Sequence, residues 1–123
     1  MLISIFQKRI NKTYTKNMVT IDVFRQMALS FPEVQELPHF EKASFRINNK
    51  IFATLAEEKK LAMLVLSLVD QSVFCMYDKT VIYPVAGGWG QKGCTYIDLK
   101  KIKKTIIKDA LNCAYQNIST KKK

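Results

Sequence analysis

All four glycines of this chain, and its single tryptophan, lie within seven residues, Gly87-Gly88-Trp89-Gly90-Gln91-Lys92-Gly93. Glycine is needed where the backbone takes a positive φ or where another group approaches closely. The chain therefore has one unusual loop and little need for such conformations elsewhere. Two interpretations of Trp89 stay open. Either the loop is a wide hairpin whose indole folds back over the core, since tryptophan is mostly buried on average, or the ring and Lys92 form a surface that a partner contacts.

The basic residues of the chain are concentrated near its two ends. The net charge is +10 over 123 residues, a length typical of one domain. Residues 1–17 carry four basic residues and no acid, and residues 99–123 carry eight lysines and one aspartate, so the stretch between them is nearly neutral. A basic patch attracts polyanions such as DNA, whereas terminal lysines are also typical of a solvated tail.

Hydropathy and cysteine usage exclude several classes of protein. The longest apolar-rich run, Leu61 to Val69, is far shorter than the ~20 residues that cross a bilayer. Cys75, Cys94 and Cys113 are widely spaced, and the only histidine is His39, so no zinc-ligand pattern is present. We expect no metal, no other cofactor and a cytoplasmic location, where thiols stay reduced.

Three regions are predicted along the chain. Residues 1–17 are interpreted as an extension outside the fold, and a start of translation at Met18 stays an alternative. Residues 18–118 form the domain, and residues 119–123 form a basic tail.

The pattern of apolar residues predicts an α+β domain with the order α-β-β-β-α-β-β-α. Its five-stranded antiparallel sheet is expected to carry helices mainly on one face. The helices are predicted at about 20–30, with Thr20 as N-cap, at 70–79 and at 102–117. The strands are predicted at 44–47, 51–55, 61–68, 80–84 and 94–99, and residues 32–42 are interpreted as an irregular link. The core is expected to include Phe24, Phe31, Phe40, Phe45, Phe52 and Phe74, with Val73, Met76 and Tyr77 on the inner side of the second helix.

Several segments together resemble the MmcQ/YjbR family over residues 18–118. They are ALSFPEV at 28–34, HF at 39–40, SFRINNKIFA at 44–53, GWGQKG at 88–93 and DALNCAY at 109–115. The resemblance implies a compact α+β domain of the CyaY-like or type III secretion chaperone-like shape. It also implies the DNA-binding role predicted for that family, through a double wing of β-hairpins. It implies no catalytic residue and no cofactor. This chain has Cys94 where the family often has a tryptophan after the last loop glycine.

The candidate nucleic-acid contacts come from three places. The first hairpin supplies Lys42, Arg46 and Lys50, and the glycine loop supplies Trp89 and Lys92. Lysine and arginine contact phosphates, and an indole stacks on bases. The start of the last helix adds Lys101 and Lys104, where free backbone N–H groups favour anions. The alternative interpretation is a solvated polar hairpin, and the neighbouring Glu41, Glu57 and Glu58 favour it.

A catalytic function has little support in the sequence. His39 lies between Glu36 and Glu41, which are able to orient a general base, but no serine or cysteine is paired with it by a recognised spacing. A packed or capping histidine is the simpler interpretation. We therefore expect a monomer or weak dimer that binds DNA or another polyanion. The alternative is a protein-interaction or chaperone-like module that uses an open sheet face and the glycine loop.

Overall fold

A computed structural model describes residues 19–120 of the chain. The expectations for the 1–17 extension and for the last three lysines of the tail lie outside the described residues. Within residues 19–120 the structure has four helices and six strands. In chain order they are α1 (Ile21–Leu29), β1 (Gln35–His39), β2 (Lys42–Ile47), β3 (Lys50–Ala56), β4 (Leu61–Val65), α2 (Leu68–Phe74), β5 (Ile82–Pro84), α3 (Gly88–Gln91), β6 (Cys94–Asp98) and α4 (Lys104–Ser119).

Helix α1 begins where the sequence predicts. The Thr20 side chain accepts a hydrogen bond from the Val23 amide at 3.0 Å, so Thr20 is the N-cap. Asp22 lies in the first turn, where a carboxylate interacts favourably with the helix dipole. Phe24 and Ala28 are buried, and the helix predicted at about 20–30 is confirmed.

The strands form one antiparallel sheet with the order β1-β2-β3-β4-β6-β5. Helix α4 contacts β3 and β4, and its Ile107 and Leu111 are fully buried. Phe45, Phe52 and Leu64 are among the buried sheet residues of the same core. Burying a side chain of this size contributes about 1.5–3 kcal/mol, so this layer between helices and sheet supplies most of the stability.

The predicted order α-β-β-β-α-β-β-α and its count of five strands are wrong. Residues 35–39 form a sixth strand, β1, at the edge of the sheet, and a fourth helix, α3, lies between β5 and β6. Pro38 pairs with Ala43 of β2. Proline lacks the amide that a central strand needs, but an edge strand accepts it on the side that has no neighbour. The two prolines in this stretch therefore do not prevent a strand, and only the region before β1 remains a link.

The second helix and one phenylalanine also differ from expectation. Helix α2 begins at Leu68, because the Ser67 side chain accepts a hydrogen bond from the Asp70 amide at 3.1 Å. Val73, Met76 and Tyr77 are exposed rather than buried. Phe40 lies on the β1–β2 turn with a φ of 62° and is 91 % exposed, so its assignment to the core is wrong.

The antiparallel order gives the sheet two chemically different ends. One holds the Asn48-Asn49 turn and residues 87–93, and we call it the glycine-loop end. The other holds the turns at 40–41 and 57–60 and the link at 99–103, and we call it the lysine end. A strand of five or six residues is about 17–20 Å long, which separates the two ends.

Candidate nucleic-acid interface

The glycine loop is a short helix between two backbone contacts. Gly87 has a φ of 78° and precedes α3. A Cβ on Gly90 would lie 1.8 Å from the Val85 carbonyl oxygen. A Cβ on Gly93, which has a φ of 106°, would lie 1.9 Å from the Leu66 carbonyl oxygen. These two glycines are therefore required by close backbone packing, which fixes the loop against β5 and the end of β4.

Gln71 of α2 holds the loop from the helix side. Its Nε2 lies 3.0 Å from the Gly90 carbonyl oxygen, 3.2 Å from that of Cys94 and 3.1 Å from Thr95 Oγ1. The side chain is buried, and these acceptors satisfy its Nε2 donors. The sequence does not reveal this residue, because a single glutamine in a short apolar helix gives no signal of long-range contacts.

The loop presents its indole to solvent. Trp89 is 66 % exposed, so the interpretation in which the ring folds back over the core is wrong. The Lys92 Nζ lies 5.5 Å from the centroid of the ring, within cation–π range. An exposed indole and an ammonium group that lies over its ring therefore belong to the same loop.

The β2–β3 turn lies at the same end of the sheet. Asn48 and Asn49 have φ values of 53° and 65°, the positive values that a two-residue hairpin of this kind requires, and this confirms the predicted hairpin. Lys50 follows the turn and is exposed. Arg46 precedes it, and its Nε donates to Ser44 Oγ at 2.9 Å, which orients the guanidinium along the face of the sheet away from the helices.

The structure divides the seven candidate residues between the two ends of the sheet. Arg46, Lys50, Trp89 and Lys92 lie at the glycine-loop end. Lys42, Lys101 and Lys104 lie at the lysine end, about one strand length away. The candidates therefore do not form one continuous surface, and the larger chemical variety is at the glycine-loop end.

The glutamates that argued against a positive hairpin surface lie at the lysine end, away from Arg46 and Lys50. Arg25 of α1 forms ion pairs with Glu36, at 3.0 Å, and with Glu57. The hydrogen bond with Glu57 is the main cause that raises the pKa of the Arg25 guanidinium, and burial opposes it. The Glu57 carboxylate is therefore already paired with Arg25. Glu33, before β1, and Asp70, in the first turn of α2, are acids near the glycine-loop end.

The groove of about 920 Å³ beside β1 does not suit a polyanion. Four glutamates line it: Glu36, Glu41, Glu57 and Glu58. Lys42, Lys59 and apolar side chains complete its lining. Acidic walls repel phosphates. This groove is therefore less suited to a polyanion than the glycine-loop end.

Two further reactive side chains of the described residues are His39 and Cys94. His39 ends β1, and its ring lies edge-on to Phe40 with centroids 4.8 Å apart. Burial raises the pKa of the Cys94 thiol, and the Lys92 ammonium offsets part of that effect. Among residues 19–120, no group of three or more His, Cys, Asp or Glu side chains is arranged to hold a metal ion. Nor is any helix in this range long and apolar enough to cross a membrane.

Comparisons with known proteins show the fold. The structure is similar to the crystal structure of Deinococcus radiodurans protein DR2400, a DUF419 domain, with a TM-score of 0.74. The two chains are 16% identical, and the likeness covers 85% of this chain and 81% of the other. No family model matches the chain, and no curated protein does. At this identity the likeness defines a small α+β domain and does not carry a function with it.

Proposed function

We propose that this protein binds nucleic acid through the glycine-loop end of its sheet, without catalysis. Arg46, Lys50 and Lys92 contact phosphates, and Trp89 stacks on a base. The observation that carries the proposal is the exposed indole with Lys92 5.5 Å from its centroid, at the same end of the sheet as the two cations of the β2–β3 turn.

The dimensions of the sheet support simultaneous contact by both turns. The middle of the β2–β3 pair and the middle of the β5–β6 pair are three strand spacings apart, about 14 Å at about 4.8 Å per spacing. Within the described residues, Arg46, Lys50 and Lys92 form no ion pair that would have to break. We assign Lys42, Lys101 and Lys104, at the other end, only a general electrostatic attraction.

The sequence resemblance to the MmcQ/YjbR family supports the same proposal, since DNA binding by two hairpins is the role predicted for that family. We propose membership of this family on the segments quoted above. The second of the two hairpins would be formed by β5 and β6. It differs from a plain hairpin, because α3 lies between its two strands. We also propose a cytoplasmic location, where the free thiols of Cys75, Cys94 and Cys113 stay reduced.

The test is titration of labelled duplex and single-stranded DNA with the full chain at two salt concentrations. We expect wild-type binding to weaken steeply with salt, and the double variant Arg46→Ala/Lys50→Ala to lose about tenfold in affinity and about 2 in salt slope. Trp89→Ala is expected to lose affinity with little change in slope, because it removes stacking and not charge. Equal, negligible binding by all three proteins would refute the proposal.

The basic tail requires a control, because terminal lysines attract DNA by themselves. Replacing Lys121, Lys122 and Lys123 by glutamine in the full chain removes that attraction. We expect this variant to keep its dependence on Arg46 and Trp89. Loss of all binding in this variant alone would assign the affinity to the tail.

A second candidate function, protein interaction, is favoured by α2. Val69 and Val73 of this helix and Met76 just after it are exposed, Met76 by 80 %. A run of exposed apolar side chains on one helix is typical of an interaction surface. If this surface joins two copies of the chain, sedimentation will show a dimer that persists at high salt and is lost in Met76→Glu. A monomer under all these conditions would argue against self-association.

A further inference from the structure

We infer that the nucleic acid bound by this protein is single-stranded, and that Tyr83 and Tyr96 extend the stacking surface of Trp89 across the open face of the sheet. This inference rests on the proposed function, since it uses the same cations and the same indole. It adds the class of nucleic acid and two contact residues that the sequence does not point to.

The register of the strands defines the face of the sheet opposite the helices, which we call the open face. Thr95 is buried and hydrogen-bonded by Gln71 of α2, and Ile97 is buried in the core, so both face the helices. Tyr96 lies between them and therefore faces the other side of the sheet. Antiparallel partners share a face, so the row across the sheet that contains Tyr96 also contains Leu37, Ser44, Thr54, Met63 and Tyr83. Ser44 and Thr54, inside the row, are buried, and the exposed side chains are Leu37 and Tyr83 at its two ends.

This row ends in two adjacent aromatic side chains. The rings of Tyr83 and Tyr96 have centroids 5.7 Å apart at an interplanar angle of 55°. Tyr83 is 37 % exposed. Tyr83 lies on β5 and Tyr96 on β6, the two paired strands that residues 87–93 connect. Trp89 lies in that connection. Three aromatic side chains on two paired strands and the loop that joins them offer separate surfaces on which successive bases can stack.

The charges on the face complement a phosphate backbone. Arg46 shares the open face with Ser44, to which it donates a hydrogen bond. It lies on β2, three strand spacings from Tyr96 on β6, which is about 14 Å. The row contains no acidic side chain, and Asp98 of β6 lies further along, at the lysine end. A nucleic-acid strand that lies across this face from Arg46 to the tyrosines therefore contacts a cation first and aromatic rings next.

Stacking of this kind requires unpaired bases. In a duplex both faces of each base are already covered by its neighbours, and side chains read only groove edges and phosphates. Within residues 19–120, the sheet face that carries the tyrosines bears no helix that could enter a groove. Bases of a single strand are free to splay onto it.

The experiment uses the full chain, with oligothymidylate and oligouridylate of about 10 nucleotides and a duplex of the same length as probes. Because Trp89 is the sole tryptophan, its fluorescence reports stacking at the loop directly. We expect quenching and tighter binding with the single strands than with the duplex. The two oligonucleotides show whether the strand is DNA or RNA.

The variants isolate the tyrosines. Tyr83→Leu/Tyr96→Leu should weaken single-strand binding about 10-fold or more, since a stacked base contributes about 1–3 kcal/mol. Tyr83→Phe/Tyr96→Phe should keep the affinity, because it keeps the rings. Tyr77→Leu is the matched control, since Tyr77 is 38 % exposed but follows α2, off this face. Circular dichroism melting checks that each variant is folded.

The outcomes separate the two proposals. Duplex binding as tight as single-strand binding, with Tyr83→Leu/Tyr96→Leu unchanged and Arg46→Ala/Lys50→Ala weakened, would refute the single-strand inference and keep the proposed function. Negligible binding of every probe would refute both. A dimer by sedimentation that Tyr83→Leu/Tyr96→Leu abolishes, in a protein that binds no probe, would assign the face to a second copy of the chain.

Discussion

The two ends of the sheet differ in charge and in rigidity. The lysine end holds most of the lysines of the described chain, but acids are interspersed with them, and Asp98 lies 3.6 Å from the Lys100 ammonium. The glycine-loop end holds fewer cations, and they lie beside an exposed indole. Its loop is fixed by two glycine contacts and by Gln71.

This contrast shows why a count of charges is a poor guide to a site. Exposed lysines lose side-chain entropy when they bind, and mixed signs cancel their field. A rigid loop already fixes the orientation of its aromatic ring, so less entropy is lost on binding. Arrangement on rigid elements, and not the number of lysines, distinguishes the glycine-loop end.

The prediction with the largest expected effect concerns the close packing of the glycine loop and is measured as a change in the free energy of unfolding. Gly90→Ala should lower the free energy of unfolding by about 2–3 kcal/mol or more, because its Cβ would lie 1.8 Å from the Val85 carbonyl oxygen and the backbone must move. Gly88→Ala is the matched control. A Cβ on Gly88 would meet nothing within 4 Å, and we expect a change within about 0.5 kcal/mol. Urea denaturation measures both, and equal losses in the two variants would contradict the close contact at Gly90.

The second prediction tests the attachment of the loop to α2. Gln71→Met keeps the volume but removes the amide, and we expect a loss of about 1 kcal/mol of stability. The cost stays modest because the Gly90 carbonyl still accepts from the Gly93 amide, and the Cys94 carbonyl from the Val85 amide. Gln116→Met, at an exposed position of α4, should change stability by less than about 0.5 kcal/mol. If Gln71→Met behaves like Gln116→Met in thermal melts, α2 does not hold the loop.

Local signals explain which parts of the fold were predictable from sequence. Thr20 caps α1 by a contact three residues away, and Asn48-Asn49 determine a turn within their own hairpin. The apolar face of α4 follows from the 3.6-residue period, and Ile107, Ala110, Leu111 and Ala114 are all buried. In each case the determining residues are close together in the chain.

The missed features depend on residues far apart. Strand β1 is stable because β2 pairs with it, despite Pro38. The exposure of Trp89 follows from backbone contacts of Gly90 and Gly93 with Val85 and Leu66. The pairing of Tyr83 with Tyr96 across the sheet depends on a register that no local pattern specifies. The glycine cluster identified the location of the candidate site, and tertiary packing determined its surface.

The third prediction compares the cations of the two ends. In the full chain, Arg46→Gln/Lys50→Gln should reduce affinity for a single-stranded oligonucleotide about tenfold and the salt slope by about 2. Lys101→Gln/Lys104→Gln removes the same charge from the lysine end. It should change affinity by about twofold or less, because those lysines lie a strand length from the aromatic rings. Equal losses in a filter-binding titration would mean that charge alone determines binding and that the two ends are equivalent.

The prediction with the smallest expected effect concerns the pKa of the Asp78 carboxyl, near the lysine end, and the pH dependence that follows from it. Hydrogen bonds from the Thr80 side chain, at 2.7 Å, and the Thr80 amide, at 2.9 Å, lower the pKa of the Asp78 carboxyl, and Lys101 adds to the shift. A lowered folded-state pKa means that this turn is stabilised at neutral pH and that the stabilisation is lost as the pH falls below about 4. An NMR titration of Asp78 should therefore show a midpoint below that of an unfolded aspartate, and Thr80→Val, which removes the hydroxyl, should raise it. Trp89 fluorescence should stay constant over the same titration, because the two ends are about a strand length apart. A Trp89 signal that follows the Asp78 midpoint would show that the ends are coupled, and the contrast between them would no longer hold.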